Sequence, residues 1–176
     1  GAPLACLVAH DWGGAVAWNL ANQLPHLAQK LAIINSPHPG TFLRELKNNP
    51  KQQAASAYMN FLIRDDAEKL LLEDDSRRLF EFFTNASASR GINGECVWLS
   101  DAVKAQYRAV WQSSLTGGCN YYRASPLRPE SLTDKGAAAI DLPKSMLTIT
   151  LPTLVIWGVD DHALPPELVD GLDDYI

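Results

Sequence analysis

No apolar stretch in this sequence is long enough to cross a bilayer, so no membrane span is expected. No basic segment precedes the first apolar run, and His10 and Asp11 interrupt that run with polar groups, so no leader pattern is read there. Repeats and low-complexity tracts are absent. Cysteine is scarce: Cys6, Cys96 and Cys119 lie far apart with no CxxC pair, which argues against a disulfide framework or a thiolate metal site. An odd, sparse count predicts reduced thiols in a cytoplasmic protein, each serving as core or subsurface filler. Charge blocks are lacking too. The net charge is −5 with basic residues scattered, which excludes a nucleic-acid surface.

What is present is a chain of 176 residues, 47% hydrophobic and 20% charged, the balance of a globular domain with a core of its own. It opens on the strand-like run Leu4-Ala5-Cys6-Leu7-Val8-Ala9 and stops at Ile176, one short helix after another strand. An isolated domain would be expected to blunt such sheet edges, so the sequence reads as an internal piece of a larger fold.

Residues 4–9 end in a His-Asp-Trp-Gly-Gly turn, and residues 15–24 then carry apolar groups at helical spacing up to Pro25. Leu31-Ala32-Ile33-Ile34 is a short buried-strand pattern, stopped by Asn35-Ser36-Pro37-His38-Pro39-Gly40. Strand, helix and strand at this spacing make a βαβ unit, so the two strands should be parallel. From Thr41 to Lys144 the chain becomes helical and charged, with candidate helix starts at Thr41, near Pro50, at Asp65, at Asp75 or Ser76, and at Ser100. Breaks are expected at Asn48-Asn49-Pro50, over Ser87–Gly94 and at Ser125-Pro126. Residues 117–144, with Gly117-Gly118, several prolines and Gly136, predict irregular connections. Residues 152–158 read as another buried strand, and Pro165-Pro166-Glu167-Leu168 opens a helix with proline in its first turn. The expected organisation is core at 1–40, a helical cap at 41–144, and core again at 145–176. Insertions of that length with structure of their own are usually functional lids.

The turn Ala9-His10-Asp11-Trp12-Gly13 follows the pattern small-x-nucleophile-x-small between strand and helix. So sharp a turn requires small flanking residues, and it lifts its central side chain above the sheet. Here that side chain is Asp11. A carboxylate at a helix start is held ionised by the helix dipole and unpaired N–H groups, and so can attack carbon. The N–H of Trp12 would point where an oxyanion forms. Aspartate is also a good N-cap, which is the competing reading; the strand before it, Gly13-Gly14 after it and the strand at Leu31 favour the nucleophile.

The segment from Val8 to Trp18 resembles the corresponding turn of α/β-hydrolase-fold epoxide hydrolases and their relatives, the haloalkane and haloacetate dehalogenases. The similarity runs on through Asn35-Ser36-Pro37-His38-Pro39 and the lid to Trp157-Gly158-Val159-Asp160-Asp161-His162-Ala163-Leu164, nearly the whole chain. It implies an α/β fold of the α/β-hydrolase type, a partial parallel sheet flanked by helices with a helical cap. It also implies that Gly117-Gly118-Cys119-Asn120-Tyr121-Tyr122-Arg123 contains a tyrosine, Tyr122, that donates to the epoxide oxygen as charge develops. A second donor should come from the earlier lid helix: Tyr58, with Asn60 the alternative. Tyr107 and Tyr121 are assigned to packing.

The resemblance places the acid at Asp161, four residues beyond Trp157, with adjacent Asp160 as competitor. Its task is to orient and charge-stabilise a catalytic histidine. None of His10, His26, His38 and His162 fits that role, and the histidine is expected beyond residue 176, as a His-Gly-x-Pro loop is expected before residue 1. The implied reaction is epoxide opening to a vicinal diol through an ester on Asp11. No metal or organic cofactor is expected, and the only partner implied is a small-molecule substrate. Dehalogenation by the same aspartate, or a catalytically incomplete chain, are the alternatives.

Overall fold

The computed structural model describes residues 1–86 and 98–176. Cys96 and the break expected over Ser87–Gly94 lie outside the described residues. Two compact units are formed, one from Gly1–Ala57 with Pro126–Ile176 and the other from Tyr58–Ser125.

The first unit is built on a parallel sheet of three strands, β1 (Leu7–His10), β2 (Leu31–Ile34) and β3 (Thr153–Ile156), in the order β1-β2-β3. Leu7 aligns with Leu31 and then with Thr153, and Ala9 with Ile33 and then with Val155. Alternation of side chains along each strand therefore puts Leu7, Ala9, Leu31, Ile33 and Val155 on one face. Helix α1 (Asp11–Gln23) covers that face with Ala17, Trp18 and Ala21, and Ile149 and Leu151 complete the cluster. Ile33 is fully buried and Trp18 nearly so, and the Trp18 ring N–H donates to the Ser36 carbonyl at 3.1 Å. A buried indole needs such a partner. Truncating Trp18 to alanine would cost about 3–5 kcal/mol on the usual scale for a large core residue. On the other face Val8, Leu154 and Ile156 are exposed.

The βαβ expectation is thus met, although β1 begins three residues later than the apolar run. Leu4 contributes only a single parallel bridge, to Ala28. Helices α2 (Pro39–Asn48) and α3 (Pro50–Ala55) follow in the same unit. Each starts with proline at its first position, where the missing N–H is no loss, and each is capped, by His38 accepting from Gly40 N and by Asn49 accepting from Lys51 N.

The second unit holds α4 (Tyr58–Leu62), α5 (Ala67–Ala86), α6 (Asp101–Ser113) and α7 (Thr116–Ala124). Ser100 caps α6 by accepting from Val103 N. Helix α5 is interrupted at Glu73–Ser76, where Asp74, Asp75 and Ser76 all have positive φ. That interruption falls where the sequence placed a new helix start.

Residues 116–124 correct the expectation of irregular chain from 117 onward, for α7 runs through Gly117-Gly118. Both glycines sit in the first turn, where backbone N–H groups lack helical partners anyway. The helix is secured by its later residues instead. Cys119 is buried with Leu62, Ala67 and Leu71, and Tyr122 packs against this cluster. Arg123 makes a two-pronged ion pair with Glu68 at 2.6 and 2.7 Å and also donates to the Arg64 carbonyl.

Candidate active site

Asp11 is the first residue of α1 and has φ 51, in the left-handed region that few non-glycine residues occupy. Residue 10, not Asp11, holds the N-cap position, and it makes no side-chain capping bond. The Asp11 side chain is exposed, and its carboxylate accepts from the N–H of Trp12 at 2.7 Å.

Two observations explain how this conformation is held. The Ser36 hydroxyl, just past the end of β2, donates to the Asp11 carbonyl at 2.7 Å. Gly14 lies so close to the same serine that a Cβ there would be 2.3 Å from both Ser36 Cβ and Ser36 Oγ. The turn therefore needs a residue without a side chain at position 14 for a steric reason, the approach of helix to strand.

Asp161 follows β3 in the same unit and is partly buried. Its Oδ1 accepts from the backbone N–H groups of Ala163 and Leu164, both at 2.9 Å. Its Oδ2 accepts from the Asn35 side-chain amide at 2.9 Å, while Asn35 Oδ1 accepts from Gly158 N at 3.0 Å. The loop is closed further by the Trp157 ring N–H donating to the Leu164 carbonyl at 2.9 Å. Gln52, fully buried on α3, donates to the Ala163 carbonyl at 3.2 Å and to the Ser56 hydroxyl at 2.8 Å. Adjacent Asp160 is exposed, and Asn35 reaches Asp161 and not Asp160. Gln52 was not singled out from the sequence, and Asn35 and Ser36 entered only as members of a segment carrying the resemblance, with no role assigned. Asn35 and Ser36 looked like ordinary strand-stopping residues, because Asn35's partners lie more than a hundred positions away in the chain.

In the second unit the rings of Tyr58 and Tyr122 meet edge to face with centroids 5.8 Å apart. Tyr58 also meets Phe82 at 5.9 Å, in the same geometry. Asn60 stands on the same short helix as Tyr58. The Arg123 guanidinium beside Glu68 holds that carboxyl down to about 2. The pair ties α7, which carries Tyr122, to α5.

The histidines are spread through the first unit. His10, His26 and His162 are exposed. His38 is almost fully buried, stacked on Tyr175 with centroids 4.6 Å apart and edge-on to Trp18 at 5.0 Å. Its Nδ1 accepts from Gly40 N at 3.2 Å, which leaves the proton on Nε2 to donate to the Leu147 carbonyl at 2.8 Å. Burial pushes its pKa down to about 4. Among the described residues no group of His, Cys, Asp and Glu could hold a metal ion, and no helix is long and apolar enough to cross a membrane.

The parallel sheet, the strained aspartate at its strand-to-helix turn and the buttressed loop around Asp161 define a class. The chain belongs to the alpha/beta hydrolase fold family, whose pattern it matches over residues 1–176. It is similar to epoxide hydrolase 4 of Mus musculus, with 29% identity over 171 residues, covering 97% of this chain and 44% of that protein. It is also similar to the AB hydrolase superfamily protein YfhM of Bacillus subtilis (strain 168), with 31% identity, covering 93% of this chain and 52% of that protein. Among solved structures, the Bacillus megaterium epoxide hydrolase in complex with an inhibitor superposes with a TM-score of 0.75 at 30% identity. That match covers 98% of this chain and 58% of the other. The chain thus spans about half the length of the relatives it matches.

Proposed function

We propose that the protein hydrolyses epoxides to vicinal diols through an ester on Asp11, with residues 1–40 and 145–176 as hydrolase core and 41–144 as helical cap. In this reading a carboxylate oxygen of Asp11 attacks an epoxide carbon and the carbon–oxygen bond of the ring breaks. The Tyr122 phenol, assisted by Tyr58, donates its proton to the departing oxygen. A water then attacks the carbonyl carbon of the ester, losing its proton to a histidine that Asp161 orients. The Trp12 N–H stabilises the resulting oxyanion. Collapse breaks the bond from the Asp11 acyl carbon to the substrate oxygen, which takes the proton back from the histidine and leaves as the diol, while the remaining carboxyl proton returns to the tyrosine phenolate and restores the carboxylate. None of the four histidines of this chain is assigned that part; His38, the one buried histidine, has both ring nitrogens engaged.

The observation that carries this reading is Asp11 itself. Its backbone is in a rarely occupied region, its carbonyl is tied to Ser36 and its carboxylate is left at the surface of the turn. A capping or solvating aspartate requires none of that arrangement. The edge-to-face tyrosines favour an epoxide over a halide, since a phenol serves an alkoxide and a leaving halide needs no proton. The test is turnover of styrene oxide by the whole protein and by its Asp11→Ala variant. Diol formation by the parent and none by the variant is expected; a variant that still turns over refutes the assignment. Halide release from chloroacetate or a bromoalkane, without diol from styrene oxide, would establish dehalogenation instead.

A further inference from the structure

We infer that Asn35 is a positioning residue for the second half of the reaction, acting through Asp161; this rests on the reading of Asp161 as the histidine's acid partner. Asn35 stands just past the C-terminal end of β2 with φ 39. Asparagine tolerates that conformation better than most residues, but glycine would suit it at least as well. The backbone alone therefore does not account for an amide here.

Both ends of that amide are used across the sheet. Oδ1 accepts the Gly158 N–H at the exit of β3, and Nδ2 donates to Asp161 Oδ2. An ionised carboxylate has about four acceptor positions, and it donates nothing. Ala163 N and Leu164 N point at Oδ1, and the Asn35 amide takes one position on Oδ2. The remaining position on Oδ2 is the one from which a histidine N–H can be received. Asn35 thereby selects the oxygen and the direction that the imidazole meets, and it locks the carboxylate against rotation. Aspartate at position 35 could accept from Gly158 but would set a second negative charge against Asp161. An apolar side chain of that shape could do neither.

The residue does not act alone on its strand. Ser36, the next residue, holds the Asp11 carbonyl on the opposite side, so consecutive residues just past the end of the central strand hold the nucleophile turn and the acid loop. The effect of Asn35 is separable from that of Ser36 because only the second chemical step uses the acid.

The experiment is single-turnover kinetics of the active protein with styrene oxide, following the ester by intact mass. Asn35→Gly, which keeps the backbone conformation comfortable, and Asn35→Asp are compared with the parent. Both should form the ester at a rate within about 2-fold of the parent and hydrolyse it about 10–100-fold more slowly, the scale expected when a reacting group is displaced by a fraction of an ångström to an ångström. In an Asp161→Asn background, Asn35→Gly should slow hydrolysis no further, since the group it acts through is gone. Unchanged hydrolysis in Asn35→Gly, equal slowing of both steps, or the same additional slowing without Asp161 would each overturn the inference. Absence of any ester in the parent itself would instead remove the underlying assignment of Asp11, and this inference with it.

Discussion

The Ser36 hydroxyl and the Asp11 carbonyl are joined at 2.7 Å, and Gly14 presses against the same serine. The strained turn is therefore clamped from one side chain. Ser36→Ala should cost about 1 kcal/mol from the lost hydrogen bond, with the exposed face of the turn free to hydrate. Gly14→Ala should cost more, about 1–3 kcal/mol, because its methyl group overlaps the serine. Denaturant melts of the two variants and of the double variant Gly14→Ala/Ser36→Gly check this. The second change removes the obstacle, so the double variant should recover part of the loss. A Gly14→Ala protein as stable as the parent would contradict the close approach.

For the paired tyrosines, Tyr122→Phe should reduce the rate of ester formation from styrene oxide by about 100-fold or more, as loss of a proton donor requires. The packing contact with Tyr58 survives, since the ring is retained. Tyr58→Phe should have a smaller effect of the same kind. Hydrolysis of the ester should be unaffected in both. Stopped-flow fluorescence with the ester detected by mass would measure it, and slowing confined to hydrolysis would place the phenols in another role.

His38 makes stability sensitive to acid. Its folded pKa of about 4 lies below the ordinary 6.5, so between those values the unfolded chain takes up a proton that the folded one refuses. Stability from the neutral ring is intact above pH 6.5 and falls as the pH drops toward 4, by up to about 3 kcal/mol for a difference of this size. His38→Phe removes the titrating group and should flatten the slope over that window, while lowering stability near pH 7 because Leu147 O and Gly40 N lose their partners. Urea unfolding at a series of pH values tests the sign. An equal slope in the variant would mean that other groups govern the acid limb.

Glu68 predicts a second, more acidic transition, confined to the second unit. Its hydrogen bonds from Arg123 hold the folded pKa near 2, below the ordinary 4.5. The contribution is present above pH 4.5 and is lost as the pH falls through the window toward 2. Hydrogen exchange in α7 and the first turns of α5 should quicken there. Arg123→Met should show faster exchange already at neutral pH and little further change on acidification. Lysine at position 123 should rescue only in part, for it cannot grip both carboxylate oxygens.

How much of this could be read from the sequence depended on the range of the interactions. The strand-turn-helix at Leu7–Gln23 was legible because its signals are local: an apolar run, a small-residue turn and helical spacing follow one another. The α/β-hydrolase fold was legible for the same reason, together with the resemblance at both ends of the chain. Helix α7 was misread because Gly117-Gly118 looks like a breaker, while the ion pair from Arg123 to Glu68 that anchors it spans fifty-five positions. The roles of Asn35 and Gln52 were hidden for a stronger reason. Polar residues at a strand end and on a short helix look dispensable until Gly158, Asp161 and Ala163 are folded against them.

The pairing of β2 with both neighbours has a consequence for how the protein would fail. A slip of that strand by one position would turn Ile33 outward and carry Asn35 and Ser36 to the wrong sides at a stroke. A slip in register therefore cannot disturb one carboxylate while sparing the other. Competence for chemistry would disappear together with the ladder, as a single cooperative event.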